Sequence, residues 1–487
     1  MKKTIILILL LPQFIFSQTT LIPDPNFEQA LISLGYDTIA DGQVTTSNIN
    51  SVFQLIILGN IGITDLSGIE DFSSLNSLWI PNNPISSIDI SSNYALTSID
   101  ISNSQLSTLD VSNNTNLTQL YCSDNQLSNL DISNNYNLDD LSCSNNQLSS
   151  LNVSNNTNLY SLNCRNNQLT SLDISNCNNL DYLNCSENQL TNLDVSNNLN
   201  LYELQVYYNQ LQSLDVSNNT NLYRLGCSYN QLQNLDVSNC INLEHLYCNV
   251  NLLTNLDVSN LSLSGLMCKN NQLTSLNVNS NSNLQLLSCR DNQLSSLDLS
   301  DNSSLRLLYC NNNFITDLDV SNNSALENLE CSNNQLTCLN IKNGNNTIIS
   351  NLYTNGNSNL PCIELDDSLW SISNWTDTSN YLFDTNSTFS TNCNNPCSTN
   401  GIIERQIKSK IFPNPTNGIL YIEFNNSGRS PYDLTIYDNL GRKVHGSNFI
   451  IDEKIEIDVR DFKNGIYHYT LFCPTQNLRS TGKFIKN

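Results

Sequence analysis

Basic residues and histidine are scarce in this sequence. Its 487 residues include 20 Lys and Arg against 44 Asp and Glu, which gives a net charge of -24. A surface of that charge repels phosphate backbones and anionic lipids, so nucleic acid is not an expected partner. The three histidines, His245, His445 and His468, show no metal-ligand spacing, and no nucleophile motif or phosphate-binding loop stands out. We therefore expect no enzyme, no metal site and no cofactor.

Long apolar runs are also missing. The longest mostly apolar stretch, residues 5–16, follows Lys2 and Lys3 and precedes the small residue Ser17. This pattern predicts a secretory signal peptide over residues 1–17. The stretch is too short to cross a bilayer as a helix, and no later one approaches about 18 consecutive apolar residues. We expect an exported chain without a transmembrane segment.

The few basic residues are unevenly distributed. Residues 399–487 hold 12 of the 20 Lys and Arg, whereas residues 52–346 hold only six. This difference indicates two regions of different chemistry.

A unit of 21 residues recurs through the middle of the chain. One copy, residues 117–135, is Leu-x-x-Leu-x-Cys-x-x-Asn-Gln-Leu-x-x-Leu-Asp-Ile-x-x-Asn, and a looser unit at Val52 opens the array. Every copy has 21 residues except a 20-residue copy at Leu243. The first residues of the copies are Leu75, Leu96, Leu117, Leu138, Leu159, Leu180, Leu201, Leu222, Leu243, Leu263, Leu284, Leu305 and Leu326.

Each unit is nearly doubled, since its two halves both read Leu-x-x-Leu-x-Cys/Val-x-x-Asn. A half of about ten residues leaves no room for a crossover helix, so we expect extended segments on both long sides of a flattened coil. The Leu, Ile and Val columns then point inward, and the Asn residues at the turns satisfy backbone groups of the turn and of the next coil. Residues 52–346 are predicted to form this solenoid.

The open ends of a solenoid need covers. Within residues 18–51, Asp24 is placed to cap a short helix that has Pro25 in its first turn. That helix would lay one apolar face on the first coil, formed by Phe27, Ala30, Leu31 and Leu34. Residues 347–398 lose the period and are predicted to form the closing cap, followed by a linker over residues 399–407. The cap retains the aromatic residues Trp370, Trp375, Phe383 and Phe389.

Ten of the 17 cysteines share one inward repeat position. Val206 replaces cysteine in one coil, so the position requires a small apolar side chain. Stacked strands offer poor disulfide geometry and a straight column cannot surround a metal ion, so we expect buried free thiols. The ten are Cys122, Cys143, Cys164, Cys185, Cys227, Cys248, Cys268, Cys289, Cys310 and Cys331.

The remaining cysteines behave differently. Cys177 and Cys240 occupy the second Asn column and are expected to substitute for Asn in the turn. Four more lie near the closing cap, where Cys362 to Cys393 is the preferred disulfide; the four are Cys338, Cys362, Cys393 and Cys397.

A column of carboxylates marks the second half of the repeat. One hypothesis is a row of weak Ca²⁺ sites, because hard cations favour carboxylate oxygens. The alternative, which we prefer, is a solvated face. The column comprises Asp89, Asp110, Asp131, Asp173, Asp194, Asp215, Asp236, Asp257, Asp298 and Asp319.

Tyrosines and charged residues concentrate at the outward positions of three successive coils. Tyrosine offers a large contact area at low entropic cost, so this cluster predicts a binding surface for a protein or a glycan. The alternative is ordinary cross-strand packing on an exposed sheet. The candidate ligand-binding residues are Tyr202, Glu203, Gln205, Tyr207, Tyr208, Tyr223, Arg224, Tyr229, His245 and Tyr247, with Glu244, Tyr160 and Tyr182 nearby.

The chain changes character at residue 408. Turn residues separate alternating segments that predict an antiparallel β-sandwich. The predicted strands are Leu420 to Phe424, Leu434 to Tyr437, Ile455 to Val459 and Tyr467 to Phe472. Four short motifs follow in order: Phe-Pro-Asn-Pro-Thr-Asn-Gly at 412–418, Tyr-Asp-x-Leu-Gly-Arg-Lys-Val at 437–444, Asn-Gly-Ile-Tyr at 464–467 and Gly-Lys-Phe at 482–484.

Two resemblances follow from these residues. The nested 21-residue unit resembles the bacterial subgroup of the leucine-rich-repeat family, which implies a binding or adhesion scaffold without naming a ligand. The motifs in residues 408–487 resemble the C-terminal sorting domain of the type IX secretion system of Bacteroidota. That resemblance implies Sec-dependent passage, transit through the outer membrane, and attachment to the cell surface or release; an ordinary β-sandwich interaction domain is the alternative.

The sequence therefore predicts a β-rich leucine-rich-repeat solenoid with an N-terminal helical cap, followed by a C-terminal antiparallel β-sandwich. Its expected role is that of an exported binding or adhesion protein. Two other roles fit the same features: an accessory protein in surface polysaccharide capture, and a passive surface-layer component.

Overall fold

A computed structural model describes residues 18–393, 397, 409–424, 431–439, 442–450, 452, 454–473 and 478–487. The expected signal peptide and the expected linker lie outside these residues. The chain divides into two compact units, one that holds the repeats and one that holds the C-terminal strands.

The repeats form a parallel sheet of 16 strands, one from each successive coil. The central residue of the strands in the repeats is apolar and buried, and Leu204 lies in register with Leu183 and Leu225 on the two neighbouring strands. The regular repeats have nearly constant length, so equivalent residues of successive coils pair with each other in the sheet. The predicted leucine-rich-repeat solenoid is confirmed. The strands are Gln54–Ile56, Ser77–Trp79, Ser98–Asp100, Gln119–Tyr121, Asp140–Ser142, Ser161–Asn163, Tyr182–Asn184, Glu203–Gln205, Arg224–Gly226, His245–Tyr247, Gly265–Met267, Leu286–Ser288, Leu307–Tyr309, Asn328–Glu330, Asn351–Tyr353 and Tyr381–Leu382.

The opposite side of the coil forms no sheet in most of the described repeats, so the extended segments expected there are not paired as strands. Over the described part of the array, this side has one isolated bridge, Asp110 to Asp131, before strands form in the last coils. Side chains accept hydrogen bonds from backbone N–H groups on this side: the Asn146 Oδ1 atom accepts the Leu127 N–H at 2.9 Å. A ladder between coils is therefore not required to satisfy these donors. The late strands are Asp317–Asp319, Cys338–Asn340, Cys362–Glu364 and Thr388–Ser390.

The first Asn column holds neighbouring coils together. The Asn188 amide nitrogen donates to the carbonyl oxygens of Cys185, at 3.1 Å, and of Cys164 in the preceding coil, at 3.0 Å. Its side-chain oxygen accepts the Leu169 N–H at 3.0 Å. One buried amide thus serves the turn and the adjacent coil, which confirms the structural role expected for this column.

The ten repeat cysteines are buried free thiols, as expected. Val206 is fully buried at the same position. Cys177 and Cys240 take the place of Asn in the second column, where the Cys177 Sγ atom lies 3.8 Å from the Val153 carbonyl oxygen and the Cys240 Sγ atom 3.6 Å from that of Val216. A thiol therefore substitutes for an amide in these two turns.

The N-terminal cap consists of two antiparallel strands and two helices. Asp24 accepts the N–H groups of Asn26 and Phe27 at 2.8 and 2.9 Å, and so caps the first helix as predicted. The Phe27 ring stacks on Phe72 of the first coil at 6.4 Å. Leu34 was expected on the buried face and lies at the C-cap instead, 44% exposed, because the helix ends one residue earlier. The elements are Thr19–Leu21, Pro25–Ser33, Gln43–Thr45 and Thr46–Ile49, followed in the first coil by the 3₁₀ helix Ile69–Asp71.

The coil continues after the regular repeats end, because Asn351–Tyr353 and Tyr381–Leu382 extend the long sheet. Trp375, 5% exposed, contacts several cap aromatics, and its ring lies 5.8 Å from that of Phe389. Cys362 and Cys393 form a disulfide with their Cα atoms 5.8 Å apart. The aromatic residues of this region therefore form a small core of their own. Two short helices lie here, the 3₁₀ helix Asn346–Ile348 and the α-helix Ser368–Asn374.

The described residues of the C-terminal unit form a three-stranded and a four-stranded antiparallel sheet. Alternate residues of both sheets, among them Leu420, Ile422, Leu434 and Leu471, form one buried cluster, as expected for a sandwich. The structure adds three strands to the four that were predicted. The first sheet comprises Ser409–Phe412, Ile419–Phe424 and Lys454–Asp458, and the second Tyr432–Asp438, Lys443–Ile450, Gly465–Cys473 and Leu478–Lys486.

Candidate ligand-binding surface

The predicted ligand-binding residues lie on the outward side of the long sheet, around the strands Glu203–Gln205, Arg224–Gly226 and His245–Tyr247. The middle residue of each strand points into the core, so its two neighbours point outward. Further outward residues precede and follow each strand. We call the whole set the tyrosine surface, comprising Tyr202, Glu203, Gln205, Tyr207, Tyr208, Tyr223, Arg224, Tyr229, His245 and Tyr247.

Two tyrosines stack in the row that precedes the strands. The rings of Tyr202 and Tyr223 are parallel, with their centroids 4.9 Å apart. The rings of Tyr223 and His245 are nearly perpendicular with their centroids 5.3 Å apart, and the Tyr223 hydroxyl oxygen lies 3.4 Å from the His245 Nε2 atom. Partial desolvation and the adjacent Glu244 carboxylate raise the pKa of Tyr223, so its hydroxyl stays protonated and can donate a hydrogen bond.

A second aromatic group lies in the row that follows the strands. Tyr208 stacks on Tyr229 with ring centroids 4.0 Å apart, and Tyr207 contacts Tyr208 edge to face at 6.0 Å. The Arg165 guanidinium lies 5.8 Å from the centroid of Tyr207 and is held by Glu187 at 2.7 Å. These contacts order three large side chains at the surface.

Charged and polar residues of the strands fill the space between the two rows. Gln205 donates to Glu203 at 3.0 Å, and Gly226 leaves room for the Gln205 side chain, since a Cβ there would lie 2.1 Å from its Oε1 atom. The His245 ring stacks on that of Tyr247 at 6.2 Å. Desolvation and the charge of Arg224 lower the pKa of His245, so the imidazole is neutral near pH 7.

One feature of this surface was missed from the sequence. In every regular coil, the second residue after the inward Cys/Val position has a left-handed backbone, and most coils place Asn or Asp there, residues that accept this conformation readily. Four successive coils have neither Asn nor Asp at this position. They carry Glu187, Tyr208, Tyr229 and Val250, with φ of 55°, 54°, 57° and 53°. The signal in the sequence was the loss of Asn and Asp from one column in the coils that hold the tyrosines.

An open groove runs along the row that precedes the strands. Three tyrosines and the carboxylates of Asp181 and Glu244 form this row, with Tyr202 and Tyr223 adjacent, and one Asn per coil also lines the groove. Sequence reasoning did not single out Asp181 or these Asn residues. We call it the tyrosine groove, lined by Tyr160, Asn179, Asp181, Asn200, Tyr202, Asn221, Tyr223, Asn242 and Glu244.

The Asp column is part of the turns. The Asp173 carboxylate accepts the Ser175 N–H at 3.0 Å, and Asp194 and Ser196 repeat the arrangement at 2.9 Å. The N–H of Ser175 with its hydroxyl, and the hydroxyl of Ser196 with its N–H, lower the pKa of Asp173 and of Asp194. Among the described residues no group of three or more His, Cys, Asp or Glu is arranged to hold a metal ion. The carboxylates of Asp173 and Asp194 thus have a structural role in their own turns.

The fold and this surface define a leucine-rich-repeat solenoid, a scaffold that typically serves binding and not catalysis. The particular kind follows from the C-terminal unit, because residues 410–487 match a family described as "Secretion system C-terminal sorting domain". The chain thus has the leucine-rich-repeat fold and a C-terminal sorting domain of the type IX secretion system, and it is secreted or displayed on the cell surface. No helix in the described part of the chain is long and apolar enough to span a bilayer.

Solved structures support the leucine-rich-repeat fold. The chain is similar to the functional domain of InlJ from Listeria monocytogenes, which includes a cysteine ladder; the two are 27% identical, with 97% of this chain and 99% of that chain covered and a TM-score of 0.62. It also has the fold of the ectodomain of the plant receptor kinase GASSHO1/SCHENGEN3 from Arabidopsis thaliana. The two are 21% identical, the match covers 70% of this chain and 50% of that chain, and the TM-score is 0.55. No curated protein sequence matches the chain.

Proposed function

We propose that this exported protein is a binding or adhesion protein, and that the tyrosine surface holds its protein or glycan ligand. The type IX sorting domain accounts for delivery outside the cell, and the repeats supply an extended surface there. One observation carries the proposal. The same coils of the tyrosine surface expose aromatic side chains and lack Asn and Asp at the left-handed position.

Cross-strand packing alone is a weaker explanation of this cluster. Tyr202 and Tyr208 remain 46% and 47% exposed, so much of their area is left for a partner. Tyr208 and Tyr229 also adopt a backbone conformation that disfavours bulky residues, and such conformations concentrate at functional sites. Polar side chains between the two aromatic rows add hydrogen-bonding capacity, which recognition of either a protein or a glycan requires.

The test uses the full mature chain with Tyr207, Tyr208 and Tyr223 all replaced by Ser. We expect the wild type to capture a ligand from panels of extracellular proteins and glycans, and the variant to lose that capture. Its melting temperature should stay within a few degrees of the wild type, because the three rings lie outside the apolar core.

A matched control replaces Tyr94 and Tyr136 by Ser. Both are exposed, at 63% and 55%, and neither belongs to the tyrosine surface. Capture by this control should equal that of the wild type. Retained capture by the Tyr207, Tyr208 and Tyr223 variant would refute the proposal. Comparison of the glycan panel with the protein panel separates direct adhesion to a protein from a role in polysaccharide capture.

A further inference from the structure

We infer that the tyrosine groove binds a neutral glycan whose chain crosses successive coils. The groove belongs to the tyrosine surface, so the inference rests on the proposed function and names the ligand class. It depends on three properties of the lining: its aromatic rings, its hydrogen-bond acceptors and its charge.

The rings supply flat apolar surface of the size of a sugar ring. Tyr202 and Tyr223 stack as a pair, and Tyr160, 56% exposed, lies two coils before Tyr202 with only Asp181 between them. The C–H face of a sugar packs on such rings, while the tyrosine hydroxyls remain available to its polar edge. Of the described residues that line the groove, none is aliphatic, so it offers no pocket for the apolar side chain that anchors a typical protein partner.

The other side of the groove offers the same acceptor in each coil. The amide nitrogens of Asn200, Asn221 and Asn242 donate to backbone carbonyls at 3.2 Å, which orients each amide and leaves its oxygen to accept a hydroxyl hydrogen. Identical acceptors at one-coil intervals suit a polymer of identical units better than a peptide with varied side chains. Such Asn residues also occur in coils without tyrosine, so the aromatic row decides where a chain would bind.

The charge of the groove selects among glycans. Its only ionisable groups besides tyrosine are the carboxylates of Asp181 and Glu244, and no basic residue lines it among those described. Asp181 raises the pKa of Tyr160, and desolvation together with Glu244 raises that of Tyr223, so both carboxylates already interact with phenol hydroxyls. A polyuronate or sulfated glycan would meet these carboxylates and the net charge of -24. A neutral chain meets acceptors without repulsion.

The test is affinity electrophoresis of the full mature chain in gels that contain mixed-linkage β-glucan, galactomannan, yeast mannan or, as the acidic probe, polygalacturonate. We expect at least one neutral polysaccharide to retard the protein and polygalacturonate not to. Replacing Tyr202 and Tyr223 by Ala should weaken the retardation roughly tenfold or more, the size of a typical aromatic anchor. The control variant Tyr94→Ala with Tyr136→Ala should match the wild type.

The salt dependence of binding distinguishes a neutral glycan from a positively charged ligand. Retardation by a neutral polysaccharide should persist at high salt, whereas contacts that depend on the carboxylate charges should weaken as salt rises. The inference is overturned if no neutral polysaccharide retards the wild type, or if the Tyr202 and Tyr223 variant binds normally. If a protein ligand is nevertheless captured through Tyr207, Tyr208 and Tyr223, the proposed function stands and only the inference of a glycan ligand is wrong. If neither a protein nor a glycan is bound, the proposed function and the inference are both wrong.

Discussion

The rings of Tyr208 and Tyr229 stack with their centroids 4.0 Å apart although both residues have a left-handed backbone. That conformation costs a residue other than Gly, Asn or Asp about 1 to 2 kcal/mol, and one aromatic pair returns about 0.5 to 1.5 kcal/mol. The array therefore gives up stability at these coils relative to those that carry Asn or Asp. We expect this of a surface retained for binding.

Val250 allows this cost to be measured without disturbing a ring stack. It has a φ of 53°, and a β-branched residue is among the least suited to that region. We expect Val250→Asn to raise the free energy of unfolding by about 1 kcal/mol. Elsewhere in this column the Asn333 amide donates to the Asn312 oxygen of the preceding coil at 2.9 Å, so the new side-chain oxygen would lie one coil before the Asn270 amide. Denaturant unfolding measures the change.

The reverse substitution is the control. Asn312 has a φ of 57° and accepts that hydrogen bond, so Asn312→Val should destabilise the array by a similar amount or more. Equal stability of Val250→Asn and the wild type would show that the left-handed position carries no strain.

The buried Asn column should be far more sensitive than the exposed polar residues. Asn188→Ala leaves the buried N–H of Leu169 without its acceptor and removes one of the two amide donors to the carbonyl oxygen of Cys164, which we expect to cost roughly 3 kcal/mol. Asn197→Ala removes one exposed bond of 3.3 Å and should cost less than about 0.5 kcal/mol. Chemical unfolding of the two variants compares them directly, and similar losses would argue against a structural role for the buried column.

The thiol column predicts a loss of stability at alkaline pH. Burial raises the pKa of Cys143 and Cys185 to about 12, whereas an unfolded thiol ionises near about 8.5. The unfolded state therefore releases protons first as pH rises. Each such thiol lowers the free energy of unfolding by roughly 1.4 kcal/mol per pH unit between those two values, and its contribution is intact below about pH 8.5.

Valine provides the control for this pH dependence, because Val206 already occupies the column. Replacing Cys143 and Cys185 by Val should make the decline with pH less steep, with a cost below about 1.5 kcal/mol per site at pH 7. Titration of free thiols should find the native column unreactive and the unfolded chain fully reactive. An unchanged alkaline slope in the double Val variant would contradict the assignment.

Removal of residues 408–487 tests the role of the sorting domain. The C-terminal strands form a compact unit with their own core, so the repeats should still fold without them. We expect the truncated chain to accumulate in the periplasm instead of reaching the surface, as measured by cell fractionation. Fusion of an equivalent tail from another exported protein of the same host should restore display. Surface display of the truncated chain would contradict the assignment.

The sequence determined the features that recur. A 21-residue period fixes which residues of successive coils face each other, and Leu, Ile, Val or Cys fills the inward columns in coil after coil. Each coil can therefore bury its apolar side chains against the next, and the buried thiols and the amide column could be predicted from spacing alone. The helix cap at Asp24 could also be predicted from the sequence, because a short-range hydrogen bond decides the local structure there.

Only the tertiary structure decided the features that depend on backbone angles and on side-chain partners across coils. The left-handed backbone at Val250 cannot be read from its identity, because the turn imposes it. The tyrosine groove likewise required the structure, since its Asn and Asp residues have ordinary polar identities and gain meaning only from the rings beside them. Exposed side chains are not constrained by burial, so their arrangement follows from coil geometry and not from the repeat pattern.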